Sequence, residues 1–380
     1  MAEASDGLEG VVAARTILSE VDGEAGRLVI RGSELAELVG KVGFEALTRR
    51  LWEGFFDPLA EDLAPALGKA RAHVFAEVEA LEAELIGLSP MAALQSVSAR
   101  FDKGEDLGAA LRLLAAPAVV TAALVRRKMG EAALRPDPDL THAADILRMM
   151  RGGPAAPGEA AALDAYLVTV ADHGLNASTF AARVVASTHA SLAAAVSAAM
   201  GALSGPLHGG APGPVIEMLD AIGHPQGARA WLEAALDRGE RLMGFGHRIY
   251  RARDPRADAL KAEVRKLARN SDRLPGRLAF ADAVEKAALE ILAQRKPQRS
   301  LQTNVEFYTA LLLEALGIAP EVFTCVFAMG RTAGWIAHAQ EQKRGGRLIR
   351  PQSIYVGPRP GESDFGPALR APGEKVITGA

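Results

Sequence analysis

Apolar residues recur at helical spacing along almost the whole chain, and this pattern constrains the fold most strongly. Within residues 44–54, for example, a phenylalanine, two leucines and a tryptophan share one face, because side chains three and four positions apart lie on the same side of an α-helix. Residues 11–31 are the β-rich exception, with a turn signal in SEVDG from Ser19 to Gly23, followed by the strand pattern RLVI at Arg27–Ile30. The sequence therefore predicts an all-α fold with a small N-terminal β-hairpin.

Predicted helices follow one another from Ser33 onward. Their expected ranges are 44–54, 64–86, 91–101, 107–128, 141–150, 160–170, 178–203, 215–222, 228–238, 256–269, 280–294, 305–316 and 321–339.

A hard break divides this helical pattern near residue 205. Residues 178–203 are mostly Ala, Val and small polar residues, which allow close approach between helices. The breaker residues GP and GGAPGP then follow at Gly205 and Gly209. Because 380 residues are many for one core, we expect a domain boundary after Gly210.

Composition excludes several classes of protein. The net charge of −3 gives no indication of a nucleic-acid partner. One cysteine, Cys325, lies in an apolar run, so no disulfide framework is expected and the thiol is expected to be buried. The first ten residues are acidic and polar, unlike a signal or transit peptide. The longest apolar stretch, 113–125, is shorter than the roughly 20 residues of a membrane span. We expect a soluble cytoplasmic protein with no membrane partner.

Three of the eight histidines lie at structural breaks. His173 lies in ADHGLNAS between two helices, and His208 lies in GPLHGG. His247 lies in MGFGHRIYRARDPRA at 243–257, which also holds several arginines. Histidine serves as acid, base or hydrogen-bond donor near neutral pH, and arginine forks hold carboxylates and phosphates. The other histidines are predicted to be structural, with His189 a buried hydrogen-bonding residue in an alanine-rich helix.

The sequence motifs and the spacing of the histidines match no known metal, hydrolase or dinucleotide site. The sequence has neither HExxH nor a His/Cys pair at ligand spacing, which argues against zinc. It has no GxSxG nucleophile elbow and no P-loop, and the GFG at Gly244 does not follow a strand in a βαβ unit.

Two charged residues lie in otherwise apolar helices. Asn304 is a predicted N-cap, which puts Glu306 in the first turn of its helix, where the macrodipole favours a carboxylate. Arg331 lies among Phe, Val, Met and Trp residues, so its charge needs a partner in the protein or in a ligand.

Taken together, these segments resemble the citrate synthase family, including its 2-methylcitrate synthase relatives. The matching motifs are, in order, GLEGVVAA from Gly7, DHGLNASTFAARV from Asp172, GPLHGGA from Gly205, GFGHRIYRARDPRA from Gly244, NVEFY from Asn304, RTAGWIAHAQEQ from Arg331 and LIRPQSIYVGP from Leu348. Several separated motifs in register are more specific than any one alone.

The resemblance implies an almost all-helical homodimer. Residues 1–210 and 320–380 would form a large, dimer-forming domain, and residues 211–319 a small domain. The family condenses acetyl-CoA with oxaloacetate and hydrolyses citryl-CoA, with no cofactor beyond the CoA thioester substrate.

The resemblance also implies a role for each matched residue. His208, His247 and Glu306 would be catalytic: His208 would stabilise the enol of acetyl-CoA, Glu306 would remove the methyl proton, and His247 would donate to the ketone. The residues implied to bind oxaloacetate are His173, His247, Arg256, Arg331 and, from the partner subunit, Arg350. Those implied to bind CoA are Leu242, Gly244, Gly246 and Arg251. No metal site is implied.

The sequence also departs from the family pattern. The family normally has Asp where this chain has Glu306, and a longer side chain displaces the carboxylate by about 1 Å. Gly174 stands where many relatives have Glu, and Pro212-Gly213 replaces the usual Asn-Glu. The alternatives to citrate synthase are therefore a 2-methylcitrate synthase that uses propionyl-CoA and a non-catalytic paralogue that binds CoA or a dicarboxylate.

Overall fold

A computed structural model describes residues 6–8, 10–209, 212–247, 249–269, 271, 274–355, 358 and 360. Helices make up 62% of the structure, and one small sheet is the only sheet in these ranges. The all-α fold class predicted from the sequence is confirmed.

The α-helices of the described ranges are numbered in chain order. They are α1 (Leu35–Leu38), α2 (Phe44–Trp52), α3 (Ala64–Ala80), α4 (Glu82–Ile86), α5 (Pro90–Ala99), α6 (Leu107–Lys128), α7 (His142–Arg151), α8 (Pro157–Val170), α9 (Ala177–Ala186), α10 (Leu192–Leu203), α11 (Pro212–Ile222), α12 (Ala228–Asp237), α13 (Pro255–Ala268), α14 (Leu274–Arg295), α15 (Val305–Ala315) and α16 (Phe323–Gly345).

The sheet has three antiparallel strands in the order β1 (Ser19–Asp22), β2 (Arg27–Ile30) and β3 (Ser33–Glu34). The strand predicted at Arg27–Ile30 is confirmed. Ser19–Asp22, which contributed to the predicted turn signal, is itself a strand, and the turn lies after it. The third strand was not predicted, because two residues are too few to show an alternating pattern.

The alanine-rich run predicted as one helix is two helices, α9 and α10. The chain breaks between them at His189, which has a φ of 62° and is exposed. The prediction that His189 is buried within a helix was therefore wrong. Ser191 caps α10 by accepting a hydrogen bond from the Ala194 N–H, which stabilises a new helix start in a run that has helical composition throughout.

Helix α16 lies in the core and packs closely against the end of α8. A Cβ atom at Gly330 would lie 2.6 Å from Val170 Cγ2, and one at Gly334 would lie 2.3 Å from the Ala171 carbonyl oxygen. Both glycines are thus required by the close approach of the two helices. This packing sets Arg331, on α16, beside the segment that follows α8.

Helix α6 is long and apolar enough to cross a membrane, but 78% of its apolar window is buried inside the fold. The apolar stretch 113–125, predicted to be too short for a membrane span, is part of a 22-residue helix. A buried core helix can be as long and as apolar as a membrane-spanning helix, so length and composition alone are weak support for a membrane span.

The predicted burial of Cys325 is confirmed.

The chain groups by contacts into two units. Thr16–Leu348 forms one, and the described residues of Met1–Arg15 and Ile349–Ala380 form the other. The predicted boundary at residues 210 and 211 lies outside the described residues. The division into a large and a small domain stays a prediction.

Candidate active site

The segment after α8 carries His173 at a buried position. The His173 N–H donates to Asp172 Oδ1 at 2.6 Å, and Asp172 is itself within 3.1 Å of His338 Nε2. The Ser19 hydroxyl donates to Asp172 Oδ2 and accepts from the Gly174 N–H. Hydrogen bonds of β1 with Asp172 and Gly174, and of α16 with Asp172, therefore hold the residues on either side of His173.

Two crossing backbone segments place His247 beside the start of α15. The Gly246 N–H donates to the Gln302 carbonyl at 2.7 Å, and the Asn304 N–H donates to the Gly244 carbonyl at 2.9 Å. Gly244 has a φ of 82°, and a Cβ there would lie 2.9 Å from the Phe307 side chain. Glycine is required at Gly244 by both conformation and space.

His247 has a defined hydrogen-bonding pattern. Its Nδ1 accepts from the N–H groups of Ile249 and Tyr250, both at 3.0 Å. Since a neutral imidazole has one proton, that proton is on Nε2. Burial and the neighbouring Arg256 lower the pKa of His247 to about 4, so the ring is neutral near pH 7.

Arg256 is buried and fixed by Asp254. The guanidinium donates to both oxygens of this carboxylate, at 3.0 and 2.9 Å, and Asp254 also accepts from the Val305 N–H at 3.0 Å. Arg256 Nη2 lies 3.2 Å from His247 Nε2. Two donors thus converge on one small region, which suits an oxygen acceptor from a ligand.

Glu306 lies in the first turn of α15, as predicted, and Asn304 is its N-cap: the Asn304 side chain accepts from the Glu306 N–H at 3.0 Å. Burial raises the pKa of Glu306 to about 7, against the opposing effect of Arg256 and Arg241. A carboxyl with this pKa changes protonation near neutral pH, which suits a general base.

His208 contacts a serine on α9. Its Nε2 lies 2.8 Å from Ser178 Oγ, which also accepts from Trp335 Nε1–H at 3.1 Å and lies 2.8 Å from Asn176 Oδ1. Burial and Arg331 lower the pKa of His208 to about 4. This ring, too, is neutral near pH 7.

Arg331 is fully buried. Its Nε donates to the Val170 carbonyl, and its guanidinium lies over the Phe327 ring at 4.9 Å. Burial lowers the pKa of Arg331 to about 10, and Asp172 opposes this effect. Burial, and then Arg256 and Arg331, also hold the pKa of His173 well below its usual value. The site thus combines neutral histidines with permanent positive charge, which favours an anionic ligand.

The structure therefore brings most of the predicted site residues together. His173 and His247 have ring centroids 5.7 Å apart, and Arg256 contacts His247. Charge interactions link His173 to His208 and Arg331, and Glu306 to Arg256. These five contacts and charge interactions join six residues from five separate sequence segments.

The other predicted residues lie at varied positions. Leu242 is buried, and Gly246 has a φ of 82°. Arg251 is exposed, with its backbone N–H bonded to the Gly23 carbonyl at 2.9 Å. Arg350 is exposed and belongs to the chain-end unit. Their roles stay predictions.

Sequence reasoning missed three residues that hold the site. Tyr250, Asp254 and Ser178 contact His173, Arg256 and His208, respectively. Only Asp254 had a sequence signal, since Asp before Pro at a helix start is a typical N-cap.

The described residues hold no group of three or more His, Cys, Asp or Glu side chains that could bind a metal ion. The geometry instead offers neutral donors, buried cations and one carboxyl of raised pKa.

Comparison with known proteins settles the family. The sequence profile described as "Citrate synthase, C-terminal domain" matches residues 7–352. The chain belongs to the citrate synthase family. Like other members, it is an enzyme of the acyltransferase class that converts the acyl group into an alkyl group on transfer.

Citrate synthase relatives match along nearly the full chain. A protein named putative citrate synthase 2 from Mycobacterium tuberculosis is 42% identical over 362 residues, which cover 93% of each chain. A 2-methylcitrate synthase from the same species is 33% identical over 366 residues, 92% of this chain and 90% of the relative.

A solved citrate synthase has the same fold. The structure of the ternary complex of carboxymethyl coenzyme A and oxaloacetate with citrate synthase from Thermoplasma acidophilum superposes with a TM-score of 0.84 at 26% identity. The match covers 97% of this chain and all of that one.

Proposed function

We propose that the chain is a citrate synthase, which condenses acetyl-CoA with oxaloacetate and hydrolyses the citryl-CoA intermediate to citrate and CoA. The observation that carries this proposal is a site that combines a carboxyl with a pKa of about 7, Glu306, with neutral histidines and the buried cations Arg256 and Arg331. Oxaloacetate is a dianion, and removal of a methyl proton needs a base with a pKa near the working pH. The finding that a relative's structure holds oxaloacetate and a CoA analogue supports these substrates.

The enol of acetyl-CoA forms between Glu306 and His208 in this proposal. Glu306 takes the methyl proton while His208 donates to the thioester oxygen. Since His208 Nε2 faces Ser178, the donor to substrate is Nδ1–H. That tautomer requires the Ser178 hydroxyl to donate its single proton to His208 Nε2, and Asn176 Oδ1 then still accepts from the Thr179 N–H.

Carbon–carbon bond formation then develops negative charge on the ketone oxygen of oxaloacetate. His247 Nε2–H is the donor to this oxygen, because its Nδ1 is occupied by two backbone N–H groups. Arg256 and Arg331 bind the carboxylates, with His173 beside them. Fixed donors of this kind need no rearrangement as the charge develops.

The remaining roles complete this proposal. Leu242, Gly244, Gly246 and Arg251 would contact CoA, with Arg251 on a phosphate. Arg350 would reach oxaloacetate from the partner subunit of a homodimer. Residues 211–319 would form the small domain, which closes on the large domain of 1–210 and 320–380 and excludes water from the enol. The enzyme would work in the cytoplasm without a cofactor.

Release of CoA tests the proposal directly. Purified protein is mixed with oxaloacetate and either acetyl-CoA or propionyl-CoA, and the free thiol is measured with a chromogenic disulfide. We expect faster turnover with acetyl-CoA. Faster turnover with propionyl-CoA would assign the chain as a 2-methylcitrate synthase, and oxaloacetate binding without CoA release would assign it as a non-catalytic paralogue.

Substitution of Glu306 tests the base. Glu306→Asp keeps the carboxylate and is expected to retain activity, whereas Glu306→Gln is expected to lower kcat by about 100-fold or more. Full turnover by the Gln variant would refute the assignment. For Arg350, mixed dimers of Arg350→Ala and His208→Ala subunits should recover activity only if this arginine acts across the interface.

A further inference from the structure

Tyr250 lies at the centre of the proposed oxaloacetate site. Its side chain is buried, with 1% of its surface exposed. Its hydroxyl lies 3.1 Å from His173 Nε2, and its ring lies 4.7 Å from the His247 ring. The Arg256 guanidinium lies over the same ring at 5.7 Å. Three of the side chains proposed to bind oxaloacetate therefore contact this one residue.

The hydroxyl group of Tyr250 can link His173 to a ligand. A phenol oxygen accepts one hydrogen bond while its proton is donated to a second group. His173 is neutral and has one N–H, so donation from Nε2 to Tyr250 Oη leaves the phenol proton for another acceptor. Burial raises the pKa of Tyr250 to about 12, so the phenol keeps its proton throughout the neutral range.

The groups around Tyr250 indicate which kind of acceptor its phenol proton would be donated to. Arg256 and Arg331 give the pocket fixed positive charge, and the Nε2–H of His247 and Nη2 of Arg256 converge beside the phenol ring. An oxygen of an anionic ligand in this region would be surrounded by donors. A phenol O–H to carboxylate hydrogen bond is of the charge-assisted kind, which is stronger than a bond between neutral groups.

We propose that Tyr250 is a substrate-binding residue whose hydroxyl accepts from His173 Nε2–H and donates to a carboxylate oxygen of the oxo-dicarboxylate. His173 and Tyr250 then bind the substrate as a single unit. This inference rests on the proposed function for the identity of the ligand. The backbone N–H of Tyr250, which fixes the His247 tautomer, is unaffected by changes to its side chain.

The test is Tyr250→Phe, which removes only the hydroxyl. We expect the KM for oxaloacetate and its Kd, measured by titration calorimetry without acyl-CoA, to rise about tenfold. We expect the KM for acetyl-CoA to stay within about twofold and kcat within about threefold. An oxaloacetate KM and Kd within twofold of wild type would overturn the proposal, as would an equal rise in both KM values.

Tyr308→Phe is the matched control. It also removes a buried phenol hydroxyl, which donates to Glu285 at 2.6 Å rather than to a site histidine. We expect this variant to lower the thermal midpoint without the tenfold change in oxaloacetate affinity. If both variants changed oxaloacetate affinity equally, the effect of Tyr250 would be a general packing effect and the proposal would be wrong.

A double-mutant cycle separates a coupled unit from two independent contacts. If His173 acts through Tyr250, His173→Ala should weaken oxaloacetate binding much less in the Tyr250→Phe background than in wild type. Additive losses would contradict the unit. If wild type binds oxaloacetate without releasing CoA, the proposed function fails while the Kd measurements still test Tyr250. If wild type does not bind oxaloacetate at all, both fail.

Discussion

Replacement of Glu306 by Gln should stabilise the folded protein at alkaline pH. The pKa of this carboxyl is about 7 in the folded protein, against 4.5 for an ordinary glutamate. Because the pKa is raised, the folded state binds the proton more tightly than the unfolded state. Stability therefore falls as the pH rises from 4.5 to 7, and the loss is complete above 7.

The size of this effect follows from the two pKa values. A pKa difference of one corresponds to about 1.4 kcal/mol, so an ionised Glu306 lowers the free energy of unfolding by about 3 kcal/mol above pH 8. Near pH 5.5 the loss is only about 1 to 1.5 kcal/mol, since most of the folded protein still holds the proton there. Gln cannot ionise, so the stability advantage of Glu306→Gln should grow by about 2 kcal/mol between these pH values.

Urea unfolding of both proteins at about pH 5.5 and 8.5, at matched protein concentration, measures this difference. Comparison at two pH values cancels any constant effect of the amide, and Asp164, whose pKa is about 6, contributes equally to both proteins. If the advantage of the Gln variant did not change with pH, Glu306 would have an ordinary pKa. The raised pKa that suits Glu306 to act as a base would then have to be produced by the bound substrates.

Three further substitutions test how the site is held. Gly23→Ala puts a Cβ 2.4 Å from a carbonyl oxygen of the loop after His247, so we expect the oxaloacetate KM to rise about tenfold. The control Gly87→Ala, whose Cβ meets nothing within 4 Å, should leave the oxaloacetate KM unchanged. Equal KM changes in the two variants would contradict this prediction. Ser178→Ala should lower kcat about tenfold or more in the CoA-release assay with little change in KM, whereas an unchanged kcat would mean that another group sets the His208 tautomer. Gly330→Ala should lower the free energy of unfolding by about 1 to 3 kcal/mol in urea, and an unchanged midpoint would show that α8 and α16 can separate freely.

Helix positions could be predicted where sequence pattern and packing agree. The bounds of α6 match the prediction because a capping aspartate and three basic residues delimit an apolar run. The break between α9 and α10 was missed because alanine satisfies any helical period, so composition there contains no stop signal. His189 takes a positive φ that local pattern does not predict.

The site could be predicted only in part, for a related reason. Residues such as Glu306 stand out because a charge in an apolar run is unusual in any context. Tyr250 does not stand out, since a tyrosine among arginines is ordinary, and its significance comes from contact with a histidine 77 positions away. Contacts of that kind are set by the packing of α8, α16 and the loop at Gly244, which local spacing does not encode.

The electrostatics of the site link the two proposed substrates. Burial is the main cause of the low pKa values of His173 and His247, and Arg256 lowers both further. The same cation opposes the rise that burial causes in the pKa of Glu306. A bound dianion would offset that positive charge. The carboxylate of Glu306 would then have a higher proton affinity after oxaloacetate binds than before, while the donors around the ketone stay in place. In the proposed reaction, the base is therefore strongest when a carbon acceptor is present, and proton removal from acetyl-CoA is favoured only in a site that can use the enol.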